Sequence, residues 1–273
     1  MIPAPFTYLR AVSVDEALAL VAEHGDEAKF LAGGHSLLPL MKLRLAQPEV
    51  LIDLAALREL SYIRDVDGHI AIGALTRHHD LAHSELLAGV VPLLTHAAGQ
   101  VGDPQIRHRG TLGGSLAHGD PASDLPAVIL ALDATLVARG PAGPREIAAA
   151  DFFAGLFETA LEPDELLVEI RVPKPAAAGW SFQKFTKRAI DWAIVGVAVQ
   201  GSSVGLVNMA STPVRAAAVE RALASGASPR DAAACAADGT SPVEDINATP
   251  DYRAHLARVL TGRALEEAAG RTG

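Results

Sequence analysis

Apolar residues at helical spacing begin the ordered pattern. After Ser13, an apolar face is supplied by Ala17, Leu18, Leu20 and Val21. Ser13 with Glu16 three positions on is a capping-box pair, and Gly25 is placed to end the helix. Lys29-Phe30-Leu31-Ala32 then reads as a short buried strand running into Gly33-Gly34. A helix from Leu37 to about Leu45 and a buried strand Val50-Leu51-Ile52-Asp53 complete a βαβ-like unit over residues 26–54. His69-Ile70-Ala71-Ile72-Gly73 is a further strand, with Thr76 a candidate N-cap after it. Ser84 to about Ala98 reads as one long helix with Leu86, Leu87, Val90, Leu93 and Leu94 on its apolar face.

Periodicity then fails over Gly102–Asp124 and returns as the apolar run Leu125–Leu132. Ala134–Ala138 and Glu165–Val172 are strands, the second closed by Pro173. Lys174-Pro175-Ala176-Ala177-Ala178-Gly179 has a linker's composition. Strand-like segments follow at Trp180–Thr186, Ile194–Gln200 and Val204–Ala210, and helices at about Val214–Ala224, Pro229–Ala237 and Asp251–Leu260. Pro229 after Ser228 and Pro250 after Thr249 mark two helix starts.

Composition narrows the classes. A hydrophobic fraction of 49% in 273 residues gives ample core material, mostly from small aliphatic side chains because aromatics are only 4%. A net charge of −9 argues against a nucleic-acid partner. No apolar stretch approaches the ~18 residues of a membrane span, and the first residues lack a secretory pattern, so a cytoplasmic protein is expected. The single cysteine, Cys235, cannot hold an iron–sulfur cluster, which needs about four thiolates. If the chain handles electrons, metal centres are expected on other chains. Ten histidines, His78-His79, His96, His108 and His118 among them, show no metal-ligand spacing and read as surface and loop residues.

Chemistry concentrates in two glycine-rich loops, Ala32-Gly33-Gly34-His35-Ser36 and Thr111-Leu112-Gly113-Gly114-Ser115. A Gly-Gly pair between a strand and a helix frees backbone N–H groups and lets a ligand approach with no Cβ in the way. Taken alone, either loop could be an ordinary strand-to-helix turn. A second loop of the same chemistry, inside a long aperiodic stretch, suits a diphosphate gripped from two sides. The dinucleotide fingerprint G-x-G-x-x-G and the phosphate loop G-x-x-x-x-G-K-[ST] are both absent.

The first loop with Leu37-Leu38-Pro39, and the segment from Gln105 to Pro126, resemble the two flavin motifs of the medium subunit of aerobic carbon monoxide dehydrogenase and of the FAD domain of xanthine dehydrogenase. Pro5-Phe6-Thr7-Tyr8 near the start, and Asp245-Ile246-Asn247-Ala248 with Tyr252-Arg253 near the end, extend the likeness over nearly the whole chain. The resemblance implies an α+β fold, a vanillyl-alcohol-oxidase (PCMH)-type FAD-binding domain over 1–174 in two subdomains (about 1–56 and 57–174). A C-terminal α+β domain over 175–273 follows, a three-stranded antiparallel sheet with helices.

By the same resemblance, Ala32, Gly33, Gly34, His35 and Ser36 with Thr111, Gly113, Gly114 and Ser115 hold the pyrophosphate. Leu31, Leu37, Val101, Gly102, Ile106, Gly110, Ala117, His118, Ser123 and Leu167 complete the cofactor surround. Asp124 is implied as an acceptor for the adenosine portion, the alternative being a helix N-cap. Lys29 and Lys184 are implied near the flavin, where a lysine favours the reduced anionic form; solvated strand-edge lysines are the alternative. Trp192, in a loop after Lys187-Arg188-Ala189-Ile190-Asp191, is implied as a ring over the isoalloxazine, with core packing as its other role. His108 and His35 depart from the family pattern and are candidates for tuning the flavin potential.

The function so implied is an FAD-binding electron-transfer subunit of a molybdenum hydroxylase, with no catalytic acid or base in this chain. Molybdenum-pterin is expected on a large partner and two [2Fe-2S] clusters on a small one, in a dimer of heterotrimers. FAD would pass electrons to a quinone or oxygen. A stand-alone flavin oxidase or reductase of the same fold, and a non-catalytic nucleotide-binding scaffold, remain as alternatives.

Overall fold

The computed structural model describes residues 2–175 and 178–271. Ser13 caps the helix Val14–His24 by accepting from the Glu16 amide at 3.1 Å. The Glu16 carboxylate reaches one residue beyond the cap, to the Val12 amide at 2.7 Å. Gly25, at φ +53°, ends this helix.

A small parallel sheet follows, in the order Thr7–Arg10, Val50–Asp53, Ala28–Leu31. The βαβ unit is present, its crossover helix being Leu37–Lys42. That helix stops short of the expected Leu45, and Arg44 lies just beyond it at φ +59°. The outer strand Thr7–Arg10 has almost no buried side chain, so burial left no alternation to read.

The second sheet is antiparallel and five-stranded: Ile63–Val66, His69–Gly73, Leu166–Pro173, Thr135–Gly140, Gly143–Ala148. Its three central strands are those the apolar runs mark. The two edge strands are mostly exposed and lack that signal. The expected long helix is two helices, Glu85–Val90 and Pro92–Gln100. Proline restricts the residue before it, and Val91 adopts φ −132° and ψ 61°, which breaks the run. Ser84 does cap, accepting from the Leu87 amide. Thr76 does not: its hydroxyl donates to the Tyr62 carbonyl and accepts from the Tyr62 amide, and Arg77 stands at the cap of the helix His78–Ala82.

Gly102–Asp124, aperiodic in sequence, contains the short helices Pro104–Arg107 and Leu112–His118. The apolar run after it is the helix Asp124–Ala131, buried at all eight positions. A helix enclosed on every side has no polar face and so shows no helical period.

Beyond Pro175 the chain forms an antiparallel sheet. Trp180–Phe185, Val195–Gln200 and Ser203–Val207 are the expected three strands, and the two-residue Val214–Arg215 adds a fourth at the edge. The following helix therefore starts at Ala217 and runs to Ala224. Ser228 and Thr249 cap the helices Pro229–Ala233 and Pro250–Gly270. The last helix outruns its expected end by ten residues because Ala264, Leu265 and Ala268 continue its buried stripe. Of the expected linker, Ala176 and Ala177 lie outside the described residues.

The C-terminal sheet closes on the buried helix Asp124–Ala131. Phe182, Ala198 and Val207 share one core with Val128 and Ile129. The approach is close at Gly205, where an added Cβ would lie 2.1 Å from the Ala127 carbonyl oxygen. Gly205→Ala is therefore expected to force sheet and helix apart and destabilise the chain by about 1–3 kcal/mol, the usual cost of overpacking. A lowered urea midpoint would show it, and an unchanged midpoint would refute the contact. Among the described residues, no helix is long and apolar enough to cross a membrane.

Candidate functional site

The fold brings the two glycine loops into backbone contact. A Cβ on Gly33 would stand 2.3 Å from the Arg109 carbonyl oxygen and 2.7 Å from the Gly110 Cα. A Cβ on Gly114 would stand 2.7 Å from Thr111 Oγ1 and 3.6 Å from the Ala32 Cβ. Gly33 thus lets one loop lie against the other, and Gly114 leaves room for the Thr111 cap bond.

The loops differ in their hydrogen bonds. Gly34 takes φ +77° and Ser36 a right-handed conformation. Among the described residues, none accepts from the amide N–H groups of Gly33, Gly34, His35 or Ser36. Successive free amides around a left-handed glycine make a concave donor surface for an anion. The second loop spends its amides internally. Leu112 donates to the Thr76 carbonyl, Gly113 to that of Ala74, Gly114 to Thr111 Oγ1 and Ser115 to the Thr111 carbonyl. Thr111 is thus the N-cap of the helix Leu112–His118, and the amides of the second loop are occupied within the chain.

Asp124 and Lys184 form a buried ion pair at 2.7 Å, each side chain 6% exposed. Lys184 Nζ also donates to the Gln100 carbonyl at 3.2 Å, and Asp124 Oδ1 has no hydrogen-bond partner among the described residues. Burial outweighs the neighbouring ammonium and pushes the Asp124 carboxyl up to about 6. Asp124 is the first residue of its helix; Ser123 holds the cap position, without a side-chain bond. Neither lysine alternative is uniform: Lys29 is exposed on its strand, whereas Lys184 is enclosed.

Lys184 also lines a cavity of about 470 Å³ with Gln100, Gly102, Pro104, Arg107 and Ile190. The Arg107 guanidinium fixes the turn beside it, donating to the carbonyls of Val101 and Gly102. Ile106 packs over Gly102, which takes φ +44°. Trp192 is 60% exposed, so its ring is on the surface and the core-packing role is excluded.

The remaining expected residues are spread. Leu31 and Leu37 flank the first loop, half-buried, and Gly110 is buried in the second. Ala117 is exposed, and the half-buried His118 packs its ring against Phe157 with centroids 5.1 Å apart. Leu167 is a buried sheet residue opposite Ala138.

The histidines correct the expectation of a surface set. His78 is 2% exposed, and its Nε2 lies 3.1 Å from Ser115 Oγ. His79 stacks on His108 with centroids 4.0 Å apart. Nothing in the doublet His78-His79 distinguishes the buried ring from its neighbour. Only its position at the start of a helix facing the second loop does so, and that needs the fold.

The geometry is a run of free backbone amides, a buried charged pair and a cavity beside it, and the class comes from comparison with known families. The chain belongs to the family described as FAD binding domain in molybdopterin dehydrogenase, matched over residues 4–175, and carries the CO dehydrogenase flavoprotein C-terminal domain over residues 180–268. It is 43% identical to the carbon monoxide dehydrogenase medium chain of Hydrogenophaga pseudoflava, over 98% of each chain. It is 40% identical to the 6-hydroxypseudooxynicotine dehydrogenase complex subunit alpha of Paenarthrobacter nicotinovorans, over 98% of this chain and 96% of that one. The solved structure of the Hydrogenophaga pseudoflava carbon monoxide dehydrogenase, in a form lacking the Mo-pyranopterin moiety, superposes with a TM-score of 0.96 at 44% identity, over 99% of both chains. The protein is thus the flavoprotein component of a molybdenum-dependent oxidoreductase.

Proposed function

We propose that this chain binds one FAD between its two glycine loops and serves as the electron-transfer subunit of a three-component molybdenum hydroxylase. The observation that carries the reading is the backbone contact of Gly33 with Arg109 and Gly110, which sets four free amides of the first loop beside the second. When bound, FAD would supply the redox chemistry that links iron–sulfur clusters to a quinone or oxygen acceptor. The chain's own residues bind and orient. Gly33, Gly34, His35 and Ser36 donate to the pyrophosphate through their amides, and Ser115 through its hydroxyl. The cavity beside Lys184 and Arg107 takes a further part of the cofactor, and the exposed Trp192 ring is available to cover it.

The partners are a small subunit with two [2Fe-2S] clusters and a large molybdopterin subunit, assembled in the cytoplasm as a dimer of heterotrimers. Two units, 1–174 and 175–273, are supported by family matches that stop at 175 and resume at 180. Relatives of full length and similar identity are named for carbon monoxide and for 6-hydroxypseudooxynicotine, which supports substrate choice on the large subunit.

The test is reconstitution. The chain is expected to carry one non-covalent FAD, bleached by substrate only when all three subunits are present. A colourless chain that takes up no FAD overturns the flavin assignment. Bleaching of the isolated chain by substrate overturns the electron-transfer role.

A further inference from the structure

The Ser115 hydroxyl has one proton, so what it offers outward depends on its bond inside the chain. That bond is to His78, whose Nε2 lies 3.1 Å from Ser115 Oγ. The imidazole is seated firmly. The His78 amide donates to the Gly110 carbonyl at 3.0 Å, and the ring occupies the space a Cβ on Gly110 would need, 2.8 Å from Cδ2 and 2.9 Å from Nε2. Gly110 therefore provides the slot that lets the ring reach Ser115. Nδ1 is buried and has no hydrogen-bond partner among the described residues.

We propose that His78 is a positioning residue of the anion site: its Nε2–H donates to Ser115 Oγ and thereby turns the Ser115 O–H outward to the phosphate between the loops. The inference rests on the FAD reading above. Two considerations choose this polarity. A proton on Nδ1 would bury an N–H with no acceptor, which costs more than leaving a lone pair unused. The reverse bond, from Ser115 O–H to Nε2, would turn only oxygen lone pairs toward a diphosphate.

The ring's charge state agrees. Burial, followed by the nearby His35 and Arg107, pushes the His78 imidazole down to about 4. At neutral pH it carries one N–H and no charge, so it acts by direction rather than by attraction.

The experiment uses the full-length chain, stripped of flavin and titrated with FAD. His78→Gln keeps a neutral N–H donor at the reach of Nε2, and His78→Phe fills the slot without one. We expect Phe to weaken FAD binding about 10-fold and Gln to stay within about 3-fold of the parent, the range of a hydrogen bond to a charged ligand. In a Ser115→Ala background, His78→Phe should add nothing. Long-range 1H–15N correlation of the imidazole, recorded without FAD, should show the proton on Nε2. A proton on Nδ1, equal losses for Gln and Phe, or an undiminished Phe effect in the Ser115→Ala background overturns the proposal. If the parent chain takes up no FAD, the flavin reading fails by itself, and the tautomer still decides the polarity of the His78–Ser115 bond.

Discussion

Gly33→Ala is expected to yield a complex purified without its flavin. The added methyl would stand 2.3 Å from the Arg109 carbonyl oxygen and 2.7 Å from the Gly110 Cα. Both obstacles are backbone, so no rotamer change relieves them. The loops must part, and the four free amides of Gly33 to Ser36 leave their place against Arg109 and Gly110. Losing one donor would weaken binding modestly, but losing the shape of the cradle removes several charge-assisted bonds together. We expect at least a 100-fold loss of FAD affinity, about 2.7 kcal/mol. Gly89→Ala is the control, since a Cβ there meets nothing within 4 Å. The ratio of flavin to protein after gel filtration reads the outcome. A Gly33→Ala chain with its full complement of FAD would refute the cradle. Gly114→Val should act in the same direction, because its side chain would push on Thr111 Oγ1 and toward Ala32.

Several strictly local signals matched the local structure, although Thr76 proved not to cap. Ser13, Glu16 and Gly25 bound the first helix because capping is a matter of three or four neighbouring residues. Of the central strands of the large sheet, His69–Gly73 and Thr135–Gly140 were legible as mostly buried apolar stretches, and Leu166–Pro173 through Ile170 and Val172 alternating with Glu169 and Arg171. Its edge strands, Ile63–Val66 and Gly143–Ala148, were not, since exposed strands carry no such pattern. Pro92 was visible in the sequence, yet the strong leucine spacing on either side of it masked the break.

The site divides along the same line. Each glycine loop could be found from its own residues and from a family likeness. Their contact could not, because Gly33 and Arg109 are joined only by tertiary packing. The same holds for Asp124 with Lys184, which belong to a helix and to a strand of the following unit. His78 shows how a residue type misleads. Histidine is usually at least partly exposed, and only the slot over Gly110 makes this one internal.

That buried pair supports the second large effect. Lys184→Met removes the ammonium from a carboxyl that is already pushed up to about 6 despite it. Burial is the leading cause and stays; both influences that lower the value come from Lys184 and vanish. The folded-state value of Asp124 must then rise further. Its ordinary value is 3.8, so the folded chain holds this proton more tightly than the unfolded chain does. The contribution to stability is fully present below that ordinary value and is lost as pH rises through the folded value. In the parent the loss spans roughly 4 to 6; in the variant its upper limit moves above 6.

At pH 5 the variant keeps a neutral acid that needs no counterion, and the loss should be about 1 kcal/mol, that of a hydrogen bond. At pH 8 it must bury an unpaired carboxylate or hold a proton against the solvent. The loss should then approach about 3–5 kcal/mol, as when one partner of a buried pair is removed. Urea midpoints at the two pH values measure the difference, and equal losses would show that Asp124 does not depend on Lys184. Replacing both residues, Asp124→Asn with Lys184→Met, should abolish the added pH dependence, because neither charge then remains to be buried.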